Sequence, residues 1–288
     1  MRSTLLLVVF FGLALAIPFQ FKQPNDLSKL IFGGSNAAPG QFPWHIYLNY
    51  TRDGKDVFCG GSLISPQHVL SAAHCLEESV DKDSRWAVAG VANLDMWKQG
   101  QAGGQVQARK IVSYVIHPEF MQNGQVVNDI VVLEVDRPFV VTKFVKPIRI
   151  PKNDSALIKE HTLVTAVGFG WTEVSGVDPV RKSHLQHADV PIASQEKCKV
   201  VWKWIDNEDI TDNQICAGAY NMGTGPGDSG GSLNARVKNE WVQVGITSFG
   251  VPDLNIIHRK NDAPDVFTRV SKYCSFISKT TRGQLQCF

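Results

Sequence analysis

Short runs of apolar and β-branched residues, each closed by Gly, Pro, Asn or Asp, recur along the chain from Ile31 onward. The stretches HIYLNY (45–50), SLISPQHVLSAA (62–73), IVVLEV (130–135), TLVTAVGFG (162–170) and WVQVGITSFG (241–250) are rich in Val, Ile, Thr and aromatic side chains. That composition suits a pleated, half-buried surface. With turn residues between the runs and no long helical pattern, it predicts an all-β body of sandwich or barrel type. One segment departs from this: Val270, Tyr273, Phe276 and Ile277 recur at helical spacing and predict a helix as the last element, near 270–280. No internal repeat or low-complexity tract interrupts the pattern.

The first 16 residues follow a different logic. Arg2 precedes an apolar stretch from Leu5 to Phe11, and Ala14 and Ala16 stand at A-x-A spacing. This predicts a secretory signal, 1–16, cleaved after Ala16. The run is shorter than the ~20 apolar residues of a membrane span, so a secreted, extracellular protein with no membrane partner is expected. Six cysteines agree with that compartment: Cys59, Cys75, Cys198, Cys216, Cys274 and Cys287. An even number in a secreted chain predicts three disulfides, whose pairing the sequence leaves open. No pair has C-x-x-C spacing, so no metal is expected. Two N-x-[ST] sequons, at Asn49 and Asn153, are glycosylation candidates.

Composition adds bounds. With 288 residues, 43% of them hydrophobic, the chain can bury a large core as one all-β domain or two lobes. The formal charge of +2 comes wholly from Arg2, Lys22 and Lys29 against Asp26 in the first 30 residues. The rest is balanced and has no basic block, which excludes nucleic acid as an expected partner.

Three distant segments carry residues suited to acyl transfer. LSAAHC places His74 beside Cys75, NDIVVLEV places Asp129 before an apolar strand, and GDSGG places Ser229 between glycines. A serine hydroxyl needs a base to take its proton, and an imidazole with a pKa of roughly 6.5 does so near neutral pH. A buried carboxylate then fixes the imidazole tautomer and stabilises the imidazolium.

The order His, Asp, Ser and the flanking residues resemble the chymotrypsin/trypsin family of serine endopeptidases. The resemblance runs from Ile31 to about Thr280. It is carried by IFGG (31–34), CGGSLISPQHVLSAAHC (59–75), NDIVVLEV (128–135), VGFG (167–170), ICAG (215–218), GDSGGS (227–232), GITSFG (245–250) and PDVFTRV (264–270). It implies two antiparallel six-stranded β-barrels, divided near residue 150, with a C-terminal α-helix and the catalytic residues His74, Asp129 and Ser229 between the barrels. It further implies an oxyanion hole from the N–H groups of Gly227 and Ser229. Ser248, Phe249 and Gly250 match the strand that pairs with the substrate main chain, with Phe249 where the family usually has Trp.

By the same resemblance, residues 17–30 are an activation propeptide. The new N-terminus at Ile31 would pair with Asp228. Leu30 precedes that cut where the family more often has Arg or Lys, which implies an activating protease that prefers a large apolar residue. The pocket departs too. Gly223 stands at its base where trypsin-like members have Asp, and Asp265 lies on the opposite wall. Asp265 can meet a basic substrate side chain or be bonded to its neighbours. The Gly223/Asp265 combination resembles the crustacean collagenase (brachyurin) group, which has broad primary specificity. Family pairings imply Cys59–Cys75 and Cys198–Cys216, leaving Cys274–Cys287. The family's disulfide across the pocket, with a cysteine where Gly225 stands, is missing, so packing and Pro226 are expected to hold a wider or more mobile wall.

The expectation is a monomer made as a zymogen, needing no cofactor. VANLDMWKQGQAGGQ offers only Asp95 toward a calcium loop. Its partners are protein or peptide substrates, the activating protease and protease inhibitors. The rival from another class is a catalytically silent homologue acting as a secreted binding protein. An esterase is less fitting, because GDSGG does not sit at a strand-to-helix elbow.

Overall fold

The computed structural model describes residues 33–76, 81–175, 178–181, 183–251, 253 and 257–288. The segments expected to be a signal peptide (1–16) and an activation propeptide (17–30), and Ile31, lie outside these residues. Among the described residues fifteen strands follow in order. From the first half come β1 (Ser35–Asn36), β2 (His45–Arg52), β3 (Lys55–Ser65), β4 (His68–Ser71), β5 (Trp86–Ala89), β6 (Gln107–Ile116) and β7 (Val131–Val135). From the second come β8 (Leu163–Gly168), β9 (Trp171–Ser175), β10 (Asp178–Arg181), β11 (Gln186–Pro191), β12 (Gln214–Ala217), β13 (Ser232–Val237), β14 (Glu240–Phe249) and β15 (Asp265–Arg269).

Strands β2 to β7 close into an antiparallel six-stranded barrel, in the order β2-β3-β4-β7-β6-β5. Its hairpin β2–β3 pairs Arg52 with Lys55 across Asp53-Gly54, both at positive φ (50° and 75°). Such two-residue turns match the twist of the flanking strands. Ile46, Leu48, Leu63, Val69 and Leu133 fill the interior with no exposed surface.

Six strands of the second half, with β1 of the first added at one edge, form the second barrel-like sheet that was expected, β1-β11-β8-β13-β14-β15-β12. The sheet curls into a half-barrel. The ends of β11 and β12 meet at the isolated bridge Ile192↔Ala217, where Ala193 N–H donates to Cys216 O at 2.8 Å and Gly218 N–H to Pro191 O at 3.0 Å. Pro191, at the end of β11, has no N–H to extend that ladder. Val164, Ala166, Leu233, Val244 and Phe267 make the core of this half. Strands β9 and β10 form a separate hairpin.

Buried polar pairs join the halves: Trp44 Nε1–H donates to Ser232 Oγ at 3.1 Å, and Ser62 Oγ–H to Gln243 Oε1 at 2.7 Å. The expected C-terminal helix is present as a 3₁₀ turn, Val270–Tyr273, running into an α-helix, Cys274–Thr280. Buried Tyr273 and Ile277 pack it against the first barrel's core.

A 12-residue helix at Gln195–Asp206 corrects the reading that no long helical pattern lies between the strand runs. Ser194 caps it by accepting from Lys197 N–H, and Cys198 and Trp202 are its buried residues. Exposed Val200 (70%) and Trp204 (86%) blur the apolar stripe in the sequence and hide the helical period. Disulfides join Cys59–Cys75, Cys198–Cys216 and Cys274–Cys287, the pairings the family resemblance implied. Among the described residues no helix is long and apolar enough to cross a membrane.

Candidate active site

His74 sits in a 3₁₀ turn, Ala73–Cys75, immediately after β4. Small Ala72 and Ala73 are fully buried, and the disulfide from Cys75 to Cys59 in β3 anchors the turn. An Arg52 guanidinium N–H bonds the Cys75 carbonyl at 2.9 Å. The imidazole is therefore held at the barrel rim with its side chain one-third exposed (33%).

Asp129 precedes β7 and is 1% exposed. Its Oδ1 accepts the His74 backbone N–H at 3.0 Å, and its Oδ2 accepts His74 Nδ1–H at 2.8 Å. Ser248 Oγ–H, from β14 of the second half, donates to the same Oδ2 at 2.6 Å. Thr268 Oγ1–H holds the Asp129 carbonyl at 2.8 Å, and Tyr273 O–H bonds Asn128 Oδ1 at 3.0 Å. Burial alone would raise the Asp129 pKa. The adjacent His74 charge and the hydrogen bonds from His74 and Ser248 outweigh it and hold the carboxyl below the usual aspartate value. The sequence assigned Ser248 to a substrate-pairing strand; the structure adds this bond across the two halves.

Ser229 reaches the same region from a glycine-rich turn. Gly60 N–H bonds the Ser229 carbonyl at 2.7 Å, and Gly230 N–H bonds Thr247 O at 2.9 Å. Gly230 has φ of +77°, and a Cβ there would lie 2.1 Å from Ser71 Oγ and 3.1 Å from Ala72 N. Only glycine lets the turn press this closely on the segment that leads into His74. Gly227 has φ of +95°, with the Phe58 ring 2.6 Å from a would-be Cβ. Among the described residues the N–H groups of Gly227 and Ser229 have no acceptor, whereas those of Asp228, Gly230 and Gly231 do.

Asp228 points the other way, into the protein, and is 1% exposed. Gly170 N–H donates to its Oδ1 at 2.7 Å and Gly225 N–H to its Oδ2 at 3.0 Å. Any Cβ on Gly168 or Gly170 would overlap this carboxylate, at 2.1 Å and 2.4 Å. That is the structural use of the VGFG stretch. No cation pairs with Asp228 among the described residues, and burial pushes its pKa up to about 7.

A cavity of about 200 Å³ opens beside Ser229, lined among others by Phe249, Val251, Ile257, Lys260 and Asp265. Asp265 is fully buried and faces neighbours: Lys260 Nζ contacts its Oδ1, and Thr224 donates to its Oδ2 from N–H (2.6 Å) and Oγ1–H (3.0 Å). Sequence reasoning missed Lys260. The wall without a disulfide is braced instead by Trp202 of the 195–206 helix. Its ring meets Phe249 edge-on with centroids 4.9 Å apart, and its Nε1–H bonds Pro264 O at 2.9 Å. Cys59, His74 and Cys75 also cluster, but both sulfurs are committed to their disulfide and offer no metal ligands.

The trypsin family model matches residues 31–277. The chain is 32% identical over 271 residues to the CLIP domain-containing serine protease B10 of Anopheles gambiae, covering 90% of this chain and 71% of that protein. It is 30% identical over 282 residues to the CLIP domain-containing serine protease B14 of the same organism, covering 89% and 73%. The barrel and half-barrel with their C-terminal helix, the cleft residues above and the family match over 31–277 together place this chain in the trypsin family of serine proteases.

Proposed function

We propose that the chain is a secreted serine endopeptidase made as a zymogen, with signal 1–16, activation propeptide 17–30 and protease domain 31–288. The carrying observation is that His74, tied through Nδ1 to buried Asp129 at 2.8 Å, lies at the cleft where Ser229 stands on a turn with two unengaged N–H groups. Ser229 Oγ attacks the substrate carbonyl carbon while its proton passes to His74 Nε2. The negative oxygen is received by the N–H groups of Gly227 and Ser229, each such donor contributing about 3 kcal/mol. Collapse breaks the C–N bond, with the amine taking the proton from His74. A water, deprotonated by His74, then releases the acyl group from Ser229.

Activation is read from Asp228. Gly33, two residues beyond Ile31, packs against Asn221 O and Met222 Cγ, next to the 223–231 segment. That position supports an Ile31 ammonium reaching the buried carboxylate after cleavage beyond Leu30, by a protease that accepts a large apolar residue. Ser248, Phe249 and Gly250 would pair with substrate main chain. The Gly223/Asp265 combination, which resembles that of the crustacean collagenase group, supports broad or chymotrypsin-like specificity.

The test is to process the purified precursor to begin at Ile31, then measure turnover on peptides with Arg, Phe, Leu or Ala before the scissile bond. Turnover and organophosphonate labelling, both lost in Ser229→Ala, are expected. Failure of both in the processed wild type would favour a silent binding protein.

Of the two sequons, Asn153 is exposed in a loop, its Oδ1 accepting Ser155 N–H at 3.1 Å. Asn49 is half-buried in β2, opposite Phe58. Expressed through a secretory route, the protein is expected to carry glycan at Asn153. A mass shift removed by Asn153→Gln and kept in Asn49→Gln checks this; the reverse pattern would refute it.

A further inference from the structure

The floor of the cavity beside Ser229 contains a built-in cation. Lys260 is 1% exposed, and its side chain runs through space left by three glycines. A Cβ on Gly218 would lie 2.7 Å from Lys260 Cβ, one on Gly223 2.8 Å from its Cγ, and one on Gly250 3.1 Å from its Nζ. The Gly223 position faces Asp265 as well, whose Oδ2 would be 2.6 Å away. The stem of Lys260 thus occupies the place a longer residue at 223 would fill, and its ammonium ends on the Asp265 carboxylate. Thr224 takes up the other carboxylate oxygen. No other charged side chain lines the cavity among the described residues, and its walls include Phe249, Val251 and Ile257.

From this geometry we infer that Lys260 determines primary specificity by neutralising Asp265 from within, so that the pocket takes an uncharged, apolar side chain before the scissile bond. The inference rests on the protease reading in that it takes this cavity as the site for that side chain. Its physical basis is that a substrate guanidinium or ammonium entering here loses its hydration and meets a carboxylate already paired. An apolar side chain loses nothing comparable and gains by burial. The ion pair also ties the pocket wall at 260 to β15, across the region where the family disulfide is missing.

Two measurements on the chain processed to Ile31 test this. In the wild type, peptides with Leu or Phe before the cut are expected to exceed those with Arg. Arg should also do no better than its neutral isostere citrulline. Arg exceeding citrulline by more than about tenfold would mean that a free carboxylate faces the substrate, and would overturn the assignment. In Lys260→Met the carboxylate is released, and kcat/KM for Arg relative to citrulline is expected to rise roughly 100-fold.

Benzamidine, a cationic probe, should bind this variant and not the wild type by calorimetry. The double variant Lys260→Met/Asp265→Asn should again bind none. A folded Lys260→Met that neither binds benzamidine nor gains Arg cleavage would overturn the assignment. Should that variant not fold, the Arg/citrulline ratio of the wild type decides alone. Benzamidine binding without turnover in any form would remove the protease reading and leave the pocket assignment standing.

Discussion

Asparagine in place of Asp129 is expected to lower kcat by about 10⁴-fold with little change in KM, equivalent to roughly 5.5 kcal/mol of barrier. The reason lies in the three donors that converge on this carboxylate. His74 N–H uses Oδ1, while His74 Nδ1–H and Ser248 Oγ–H share Oδ2. An asparagine has one acceptor oxygen and one NH₂ group. With its oxygen on the His74 amide, the NH₂ faces Nδ1 and must donate to it. The imidazole proton then resides on Nε2, the nitrogen that has to accept from Ser229. The alternative flip leaves the NH₂ against a backbone donor. The fold should survive, because Asp129 is held at its backbone by Thr268 as well. Steady-state kinetics together with an unchanged melting temperature would check the prediction. A kcat within about tenfold of wild type would mean that the Asp129–His74 contact is structural only.

The second large effect concerns Asp228. In the precursor, with residue 31 still in peptide linkage, its carboxylate has two backbone N–H donors and a pKa pushed up to about 7 by burial, against an ordinary value of 3.8. The sign follows from proton binding: the folded precursor holds this proton more tightly than the unfolded chain. Its contribution to stability is therefore fully present below about pH 4, declines as pH rises and is lost above about pH 7. The span corresponds to roughly 4 kcal/mol as an order of magnitude. Relative to Asp228→Asn, the wild-type precursor should lose several degrees of melting temperature between pH 4 and pH 8.

In the chain processed to Ile31, the same substitution is expected to lower kcat/KM at least about 100-fold, because the turn that presents Gly227 and Ser229 N–H loses its internal anchor. Thermal melts across pH for both precursors, with peptide kinetics for both processed forms, separate the two roles. Parallel melting curves would show that Asp228 does not titrate in this range. Full activity of the processed variant, or of a form beginning at Leu30, would refute the ammonium–carboxylate trigger.

The candidate catalytic residues were legible in the sequence because each is bound to a local context that the proposed chemistry imposes. His74 needs the small buried residues before it and the cysteine after it, and Ser229 needs glycines around it. The strands were legible where β-branched runs end in turn residues, as in β2 and β7. The helix at Gln195–Asp206 was not, since exposed Val200 and Trp204 make its apolar residues nearly continuous. The sequence by itself determined which groups are candidates for the chemistry and in what order they occur along the chain.

Tertiary structure alone decided the rest. Pro191 ends a ladder and leaves the second half a half-barrel. Ser248, assigned to the substrate strand, crosses to Asp129. Whether Asp265 faces a substrate or a neighbour depended on Lys260, whose stem fits only because Gly218, Gly223 and Gly250 leave it room. A pairing of that kind has no sequence period or motif. It follows from where the backbone leaves space and from the cost of burying a charge without a partner.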